Sequence, residues 1–308
     1  MITYSIGLKN KFRGITVREG MLFEGPAGWA EWSPFLDYDD ATCVSWLRAA
    51  REAAEDGWPA PVRDRVPVNC TVPAVGPEKA AAIVRASGCS TAKVKVAEPG
   101  QTLADDLERV EAVRDAIGNG NVRVDANGLW SVDQALRSLK ELHRFDLEYV
   151  EQPCATVEEL AEVRRRTDVP VAADESIRRA EDPLRVKKLD AADIAVLKVQ
   201  PIGGVRACLD IAEQIGLPVV VSSALETSVG IAAGVALAAA LPELPYACGL
   251  ATVSMFTQEV VAEPLLPTNG FLPVKRVAPD PQLLKASRAD AERTRVWEER
   301  LSRVRSAG

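Results

Sequence analysis

From about residue 66 to residue 249 the sequence repeats one unit: a short apolar segment, a loop, then a helical pattern. That alternation constrains the fold more than any other feature. Strands are expected at 68–72, 92–96, 121–125, 147–151, 169–174, 194–199, 219–223 and 246–249. Helical periodicity fills the intervals at 77–87, 102–117, 131–143, 156–166, 180–188, 204–215 and 227–240. Strands that alternate with helices pair in parallel, because the helix is the crossover that returns the chain to the same end of the sheet. Eight such strands separated by seven helices favour closure over an open doubly wound sheet. The expected fold is α/β, a modified TIM barrel of the (β/α)7β kind.

The flanks read differently. Residues 1–65 carry alternating stretches at 2–8, 15–18 and 21–24, then a GPAG turn ahead of Trp29 and Trp32, a pattern that suits an antiparallel meander. Asp39 and Asp40 can cap a helix running to about Glu55, with Val44, Trp46 and Leu47 on its apolar face. The expected organisation is a small α+β cap at 1–65, the barrel at 66–255, and a segment at 256–308 that packs back on both. In that last segment Pro264, Pro267, Pro273, Pro279 and Pro281 precede a charged helix expected from Ala286 to Arg305, with Trp297 and Leu301 on its buried side.

Composition narrows the chemistry. With 37 basic against 44 acidic residues, the net charge of −7 gives no electrostatic footing for nucleic acid or anionic lipid. The longest apolar run, Ile231 to Leu241, is Ala-rich and too short for a bilayer, so it reads as a barrel helix. The opening MITYSIGLKNKFRG lacks the apolar core of a signal peptide, and six scattered cysteines without a CxxC read as reduced core thiols. A cytoplasmic enzyme acting on a small molecule, without a nucleic-acid or membrane partner, is the expectation. The oligomeric state stays open, with a monomer allowed.

The polar residues of the barrel strands gather at one end. In NVRVDANGLW the strand alternates Val122 and Val124 with Arg123 and Asp125 and then breaks at Asn127-Gly128. LEYVEQP ends at Glu151, VPVAADES at Asp174-Glu175, AKVKV sets Lys93 and Lys95 on one side, and DIAVLKV carries Lys198. In a closed parallel barrel the catalytic groups come from the C-terminal ends of several strands. Singly, each of these residues is more readily a structural ion pair than a ligand. Together and in strand order, three carboxylates repel one another unless a cation lies among them. An all-oxygen set without His or Cys suits Mg²⁺, with Mn²⁺ as an alternative occupant, better than zinc.

A metal facing lysines defines a reaction type. A carboxylate substrate whose oxygens meet a divalent cation has its α-proton acidified, because the resulting enediolate is stabilised. The base that takes the proton must be neutral, and a second ammonium beside a divalent ion favours that form. Lys95, nearer the mouth, is assigned as the base, with Lys93 as its electrostatic tuner.

The motifs KVK (Lys93, Lys95), RVDANG (Arg123, Asp125, Asn127), EQP (Glu151), ADES (Asp174, Glu175) and DIAVLK (Lys198) resemble those of the enolase superfamily, over about 180 residues of barrel. The resemblance implies a capped barrel and Mg²⁺ held by Asp125, Glu151 and Asp174, with Arg123, Asn127 and Glu175 behind them. Lysines on the second and sixth strands place the chain nearest the muconate-lactonizing-like subgroup. In that subgroup the chain is most similar to members that dehydrate a cyclohexadiene carboxylate, with Lys198 supplying charge on the opposite face. The alternative is racemisation of an N-acylated amino acid, in which Lys198 delivers the second proton.

SSALETSVG and GLAT carry the same resemblance. There Ser222, Ser223, Gly249 and Leu250 are candidate substrate contacts, against the alternative of ordinary turns and a helix cap at Thr227 or Ser228. The only histidine, His143, precedes the fourth strand and is read as a surface or packing residue. GIGGV lacks the spacing of a dinucleotide fingerprint, and no GxSxG, P-loop or HExxH occurs.

Overall fold

The computed structural model describes residues 1–179 and 182–308. The chain opens with an antiparallel meander of β1 (Ile2–Phe12), β2 (Ile15–Gly25) and β3 (Gly28–Trp32), followed by α1 (Asp40–Arg51). The stretches expected at 15–18 and 21–24 are one continuous strand, because Arg18 and Gly20 both keep their pairing with β1. Asp39 caps α1 by accepting the Thr42 N–H at 2.7 Å, and the helix continues as a wide turn through Asp56.

After β4 (Arg65–Pro67), which lies outside the barrel sheet, the barrel begins with β5 (Cys70–Val72), then α2 (Pro77–Ser87), β6 (Thr91–Lys95), α3 (Leu103–Ile117), β7 (Asn121–Asp125), α4 (Val132–Leu142) and β8 (Leu147–Glu151). It continues through α5 (Val157–Arg164), β9 (Val171–Ala173), α6 (Glu175–Arg178), α7 (Arg185–Lys188), β10 (Ile194–Leu197), α8 (Val199–Ile202), α9 (Val205–Ile215), β11 (Val219–Val221) and α10 (Ser228–Ala240). After it come β12 (Phe271–Pro273), α11 (Pro281–Ala286) and α12 (Ala291–Ala307).

Seven parallel strands, β5 to β11, form one curled sheet in sequence order. The expected eighth strand at 246–249 is reduced to two parallel bridges, Val68 with Cys248 and Ser222 with Gly249. These join the two edges: Cys248 N–H donates to Pro67 O at 2.7 Å, and Gly249 N–H to Val221 O at 2.8 Å. Of the helix expected at 180–188, residues 180 and 181 lie outside the described residues, and the remainder forms only α7.

Local chemistry sets the helix starts. Thr102 with Asp105, Ser131 with Gln134, and Thr156 with Glu159 are reciprocal capping boxes, each satisfying two otherwise orphaned N–H groups. The strand register then stacks the apolar residues. Val94, Val124 and Val150 pair across β6, β7 and β8, with Val171 beside Val150, all facing the helices as part of one large core. The alternate residues face the barrel axis, where Tyr149, Ala172, Ile194, Val196 and Val220 form a separate small core. Most of the barrel's charge collects at the C-terminal strand ends, where it lies above the small axial core.

The tail departs from the sequence reading. The charged helix begins at Ala291, with Asp290 capping it through the Arg293 N–H at 2.8 Å, and residues 281–286 form a separate short helix started by Asp280 and Pro281. Helix α12 packs on the meander and α1: Trp297 meets Trp32 edge to face with centroids 5.5 Å apart, and Leu301 is buried. Helix α10 is buried almost throughout and is the barrel helix expected from its composition. Among the described residues no helix is long and apolar enough to cross a membrane.

Candidate active site

The register that stacks the valines also aligns the acids. Lys95 pairs with Asp125 across β6 and β7, and Asp125 with Glu151 across β7 and β8, so three charged groups stand in one row at the sheet's C-terminal edge. Asp174 follows β9 directly and Lys198 follows β10. Each carboxylate is buried and each meets an ammonium. Lys95 Nζ lies 2.5 Å from Asp125 Oδ2, and Lys198 Nζ 2.5 Å from Asp174 Oδ2. Lys93 Nζ donates to both Glu151 oxygens, at 2.8 and 2.9 Å, and reaches Asp125 at 3.3 Å.

These contacts set the electrostatics. Burial opposes ionisation of Asp125, but Lys95 and Lys93 outweigh it and hold the carboxyl well below its ordinary range. Burial likewise opposes Asp174, which Arg178 and Lys198 keep ionised. Glu151 goes the other way, raised by burial and then by the Asp125 charge, with Lys93 acting against them. The Lys93 ammonium pays for burial yet is held above its ordinary range by Glu151 and Asp125. Lys93 is therefore a counter-ion to two acids as well as a neighbour of Lys95.

The row is surrounded by polar support. Asn127 accepts from Lys95 at 2.7 Å through Oδ1, and its amide nitrogen reaches Glu175 at 3.3 Å. Arg178 donates to Asp174 at 2.8 Å, to Glu175, and to the Tyr38 hydroxyl at 2.9 Å. Arg123 sits one layer deeper, where it donates to Glu148 at 2.5 Å, to Asn69 and to the Ala247 carbonyl, and lies 4.6 Å from the Tyr149 ring centre. It thus plugs the barrel below the row and does not touch the acids.

A cleft opens over the row, bordered by Lys93, Lys95, Asn127 and Lys198 on the strand side. Ser222, Ser223 and Gly249 border it too, whereas Leu250 is fully buried in the barrel core and does not. The cap adds Phe12 and Arg13 at the β1–β2 turn, and Phe35. Those three, with Thr71, Arg178, Ala224, Leu225 and Thr252, were missed in the sequence. The cap residues reach the cleft only through docking of distant segments. Arg178 had a signal, since it stands four residues beyond Asp174 on the same short helix. His143 is exposed at the end of α4, away from the cleft.

The donor chemistry fits a hard divalent cation, because the strand-end acids offer oxygen alone and the positive charge they require is supplied by lysine ammonium groups. Among the described residues no three acids are drawn into a tight cluster, since each leans on its lysine or arginine partner. Holding a metal would require Asp125, Glu151 and Asp174 to turn from those partners toward one another.

A curled parallel sheet beneath a meander cap, with lysines facing acids at its C-terminal edge, defines a family. The chain belongs to the enolase superfamily: residues 77–279 match the enolase C-terminal domain-like family and residues 3–54 the enolase N-terminal domain-like family. It is 65% identical over 305 residues to the o-succinylbenzoate synthase of Thermobifida fusca, covering 99% of this chain and 95% of that one. It is 56% identical over 299 residues to the o-succinylbenzoate synthase of Mycolicibacterium smegmatis, covering 96% and 92%. The fold is shared with muconate lactonizing enzyme from Pseudomonas fluorescens, at a TM-score of 0.81, 21% identity and coverage of 94% and 97%. It is also shared with an N-succinyl Arg/Lys racemase from Bacillus cereus, at a TM-score of 0.77, 20% identity and coverage of 94% and 96%.

Proposed function

We propose that this chain is an o-succinylbenzoate synthase, a hydro-lyase that dehydrates 2-succinyl-6-hydroxycyclohexa-2,4-diene-1-carboxylate (SHCHC) to o-succinylbenzoate for menaquinone formation. The observation that carries the reading is 65% identity, over nearly the whole chain, to a synthase of that name. Lys95 supports it from the structure: it borders the cleft, belongs to the row of acids, and hydrogen-bonds to Asp125 and Asn127, which fix its direction.

In this reading Lys95 takes the proton from the carbon bearing the ring carboxylate. The electron pair left behind forms the new ring double bond as the neighbouring carbon–oxygen bond breaks. The departing hydroxyl collects the same proton from Lys95 and leaves as water, so one lysine serves both halves of a syn elimination. Lys198 presents its charge across the cleft, held by Asp174. Asp125, Glu151 and Asp174 would hold Mg²⁺, which when bound supplies fixed positive charge to the substrate carboxylate. We place the enzyme in the cytoplasm, a reading supported by six cysteines that are all buried and unpaired.

The test compares SHCHC dehydration with α-proton exchange into N-succinylamino acids in D₂O, using purified protein with Mg²⁺ and after chelation. Rapid dehydration with little exchange, lost on chelation and restored by Mg²⁺, is the expected result. Exchange that dominates and depends as strongly on Lys198 as on Lys95 would make the chain a racemase.

A further inference from the structure

Four main-chain carbonyls converge on the guanidinium of Arg18 in β2. Its Nε donates to Leu225 O at 2.8 Å, Nη1 to Glu19 O at 3.0 Å, and Nη2 to Ala224 O at 3.2 Å and to Ser33 O. The side chain is 2% exposed. A buried guanidinium is tolerated only when its donors are satisfied, and here each nitrogen is satisfied by backbone. Its carbon also lies 4.4 Å from the centre of the Phe35 ring.

Three of the residues so held, Ala224, Leu225 and Phe35, border the cleft, whereas Arg18 does not. Among the described residues no peptide bond is cis. In a trans peptide the C=O and the following N–H point in opposite directions. Fastening Ala224 O to Arg18 therefore turns the Leu225 N–H away from the cap strand. The turn is closed from behind by Glu226, whose Oε2 accepts the Ala224 N–H at 2.7 Å, and Leu225 holds a left-handed φ of 63°. Among the described residues the Leu225 N–H has no protein acceptor, although Leu225 is only 1% exposed. A buried donor without an acceptor in the wall of a cleft calls for one on the ligand.

We infer that Arg18 is a positioning residue, which fixes the Ala224–Leu225 peptide so that its N–H donates to an acceptor oxygen on the acyl arm of the substrate. The inference rests on the proposed synthase reading, in which that arm carries a keto oxygen and a terminal carboxylate. The ring carboxylate is held by the strand-end row, so the two walls of the cleft divide the ligand between them. Specificity for the arm is thereby set by a cap residue that never touches it.

The test is the affinity of wild-type protein, Arg18→Lys and Arg18→Met for o-succinylbenzoate and for benzoate, with Mg²⁺ present. Benzoate keeps the ring carboxylate and lacks the arm. Lysine offers a point charge that cannot span carbonyls from three segments. The variants are expected to bind o-succinylbenzoate about tenfold more weakly, the scale of one hydrogen bond, with benzoate affinity unchanged and the KM for SHCHC raised more than kcat is lowered. If both arginine variants fail to fold, the Leu225 amide of the wild-type protein carries the test: its NMR proton shift is expected to move when o-succinylbenzoate binds and to stay in place when benzoate binds, and an amide that moves with neither ligand, or equally with both, overturns the inference. Equal weakening of both ligands, or no change in either, overturns the inference. Wild-type protein that neither binds o-succinylbenzoate nor dehydrates SHCHC overturns the synthase reading with it.

Discussion

The acids at the strand ends and the acids beneath the cap are equally buried, but different groups answer them. Asp125, Glu151 and Asp174 are paired with side chains, the ammonium groups of Lys93, Lys95 and Lys198 and the guanidinium of Arg178. Glu31 at the cap–barrel seam is instead met by the N–H groups of Thr227 and Gly230, both at 3.1 Å, and by the hydroxyls of Tyr4 and Ser33, both at 2.7 Å. Its carboxylate thus sits on the N-terminus of α10, where the helix dipole favours negative charge. A lysine can swing away from its acid on a flexible stem, whereas a main-chain N–H can leave only if the fold opens. The first kind of contact leaves the strand-end acids free to change partners, and the second fixes one layer on another.

The largest effect that would sharpen this contrast is Lys95→Ala. We expect kcat/KM for dehydration to fall by at least ~10³, the scale of lost general acid–base catalysis, while the thermal midpoint moves by only a few degrees because Asp125 retains Lys93. Steady-state kinetics and a melting curve on the same preparation check both halves. Glu31→Ala should show the reverse priority. It leaves two N–H groups and the hydroxyls of Tyr4, Ser33 and Thr227 unanswered, so denaturant unfolding should report a loss of about 3 kcal/mol. A Lys95 variant as unstable as the Glu31 variant would break the comparison.

A smaller effect concerns Glu226, which lies at the same seam with Glu31 and Arg18 nearby. Burial and then the Glu31 charge push its carboxyl up to about 7, against the pull of Arg18. Between the pH at which the unfolded carboxyl loses its proton, about 4.3, and about 7, the folded chain binds more protons than the unfolded one. Stability therefore falls as pH rises through that window, by on the order of 3–4 kcal/mol, and levels off above it. Glu226→Gln keeps an acceptor for the Ala224 N–H and removes the ionisation, so the pH 5.5 to 8 difference in unfolding free energy should shrink. An undiminished slope would assign it to other groups.

What the sequence made legible follows from the range of the forces involved. Strand alternation and the order of Lys93, Lys95, Asp125, Glu151, Asp174 and Lys198 are local patterns, and a closed parallel sheet brings them to one edge whatever surrounds it. Phe12, Arg13, Phe35 and Arg18 were not legible because their importance comes from docking segments more than a hundred residues apart. Leu250 was assigned to the substrate with Gly249, yet alternation turns the next side chain outward, into the core beside Gly234. The single tail helix was an error of punctuation: Asp280-Pro281 and Asp290 are both start signals, and two starts mean two helices.

The contacts of α12 bear on the order in which the molecule can be assembled. Arg300 donates to the carbonyls of Pro34, Phe35 and Tyr38, at 3.2, 2.7 and 2.8 Å, and so holds the segment from which Phe35 reaches the cleft and Tyr38 meets Arg178. The first strand waits for the same region: Ser5 N–H donates to Ser287 O at 2.9 Å, and Ala289 N–H to Thr3 O at 3.0 Å. During synthesis the meander is therefore made first and completed last. A nascent chain that has finished every barrel strand still lacks the brace for its own entrance, which forms only as the final helix emerges.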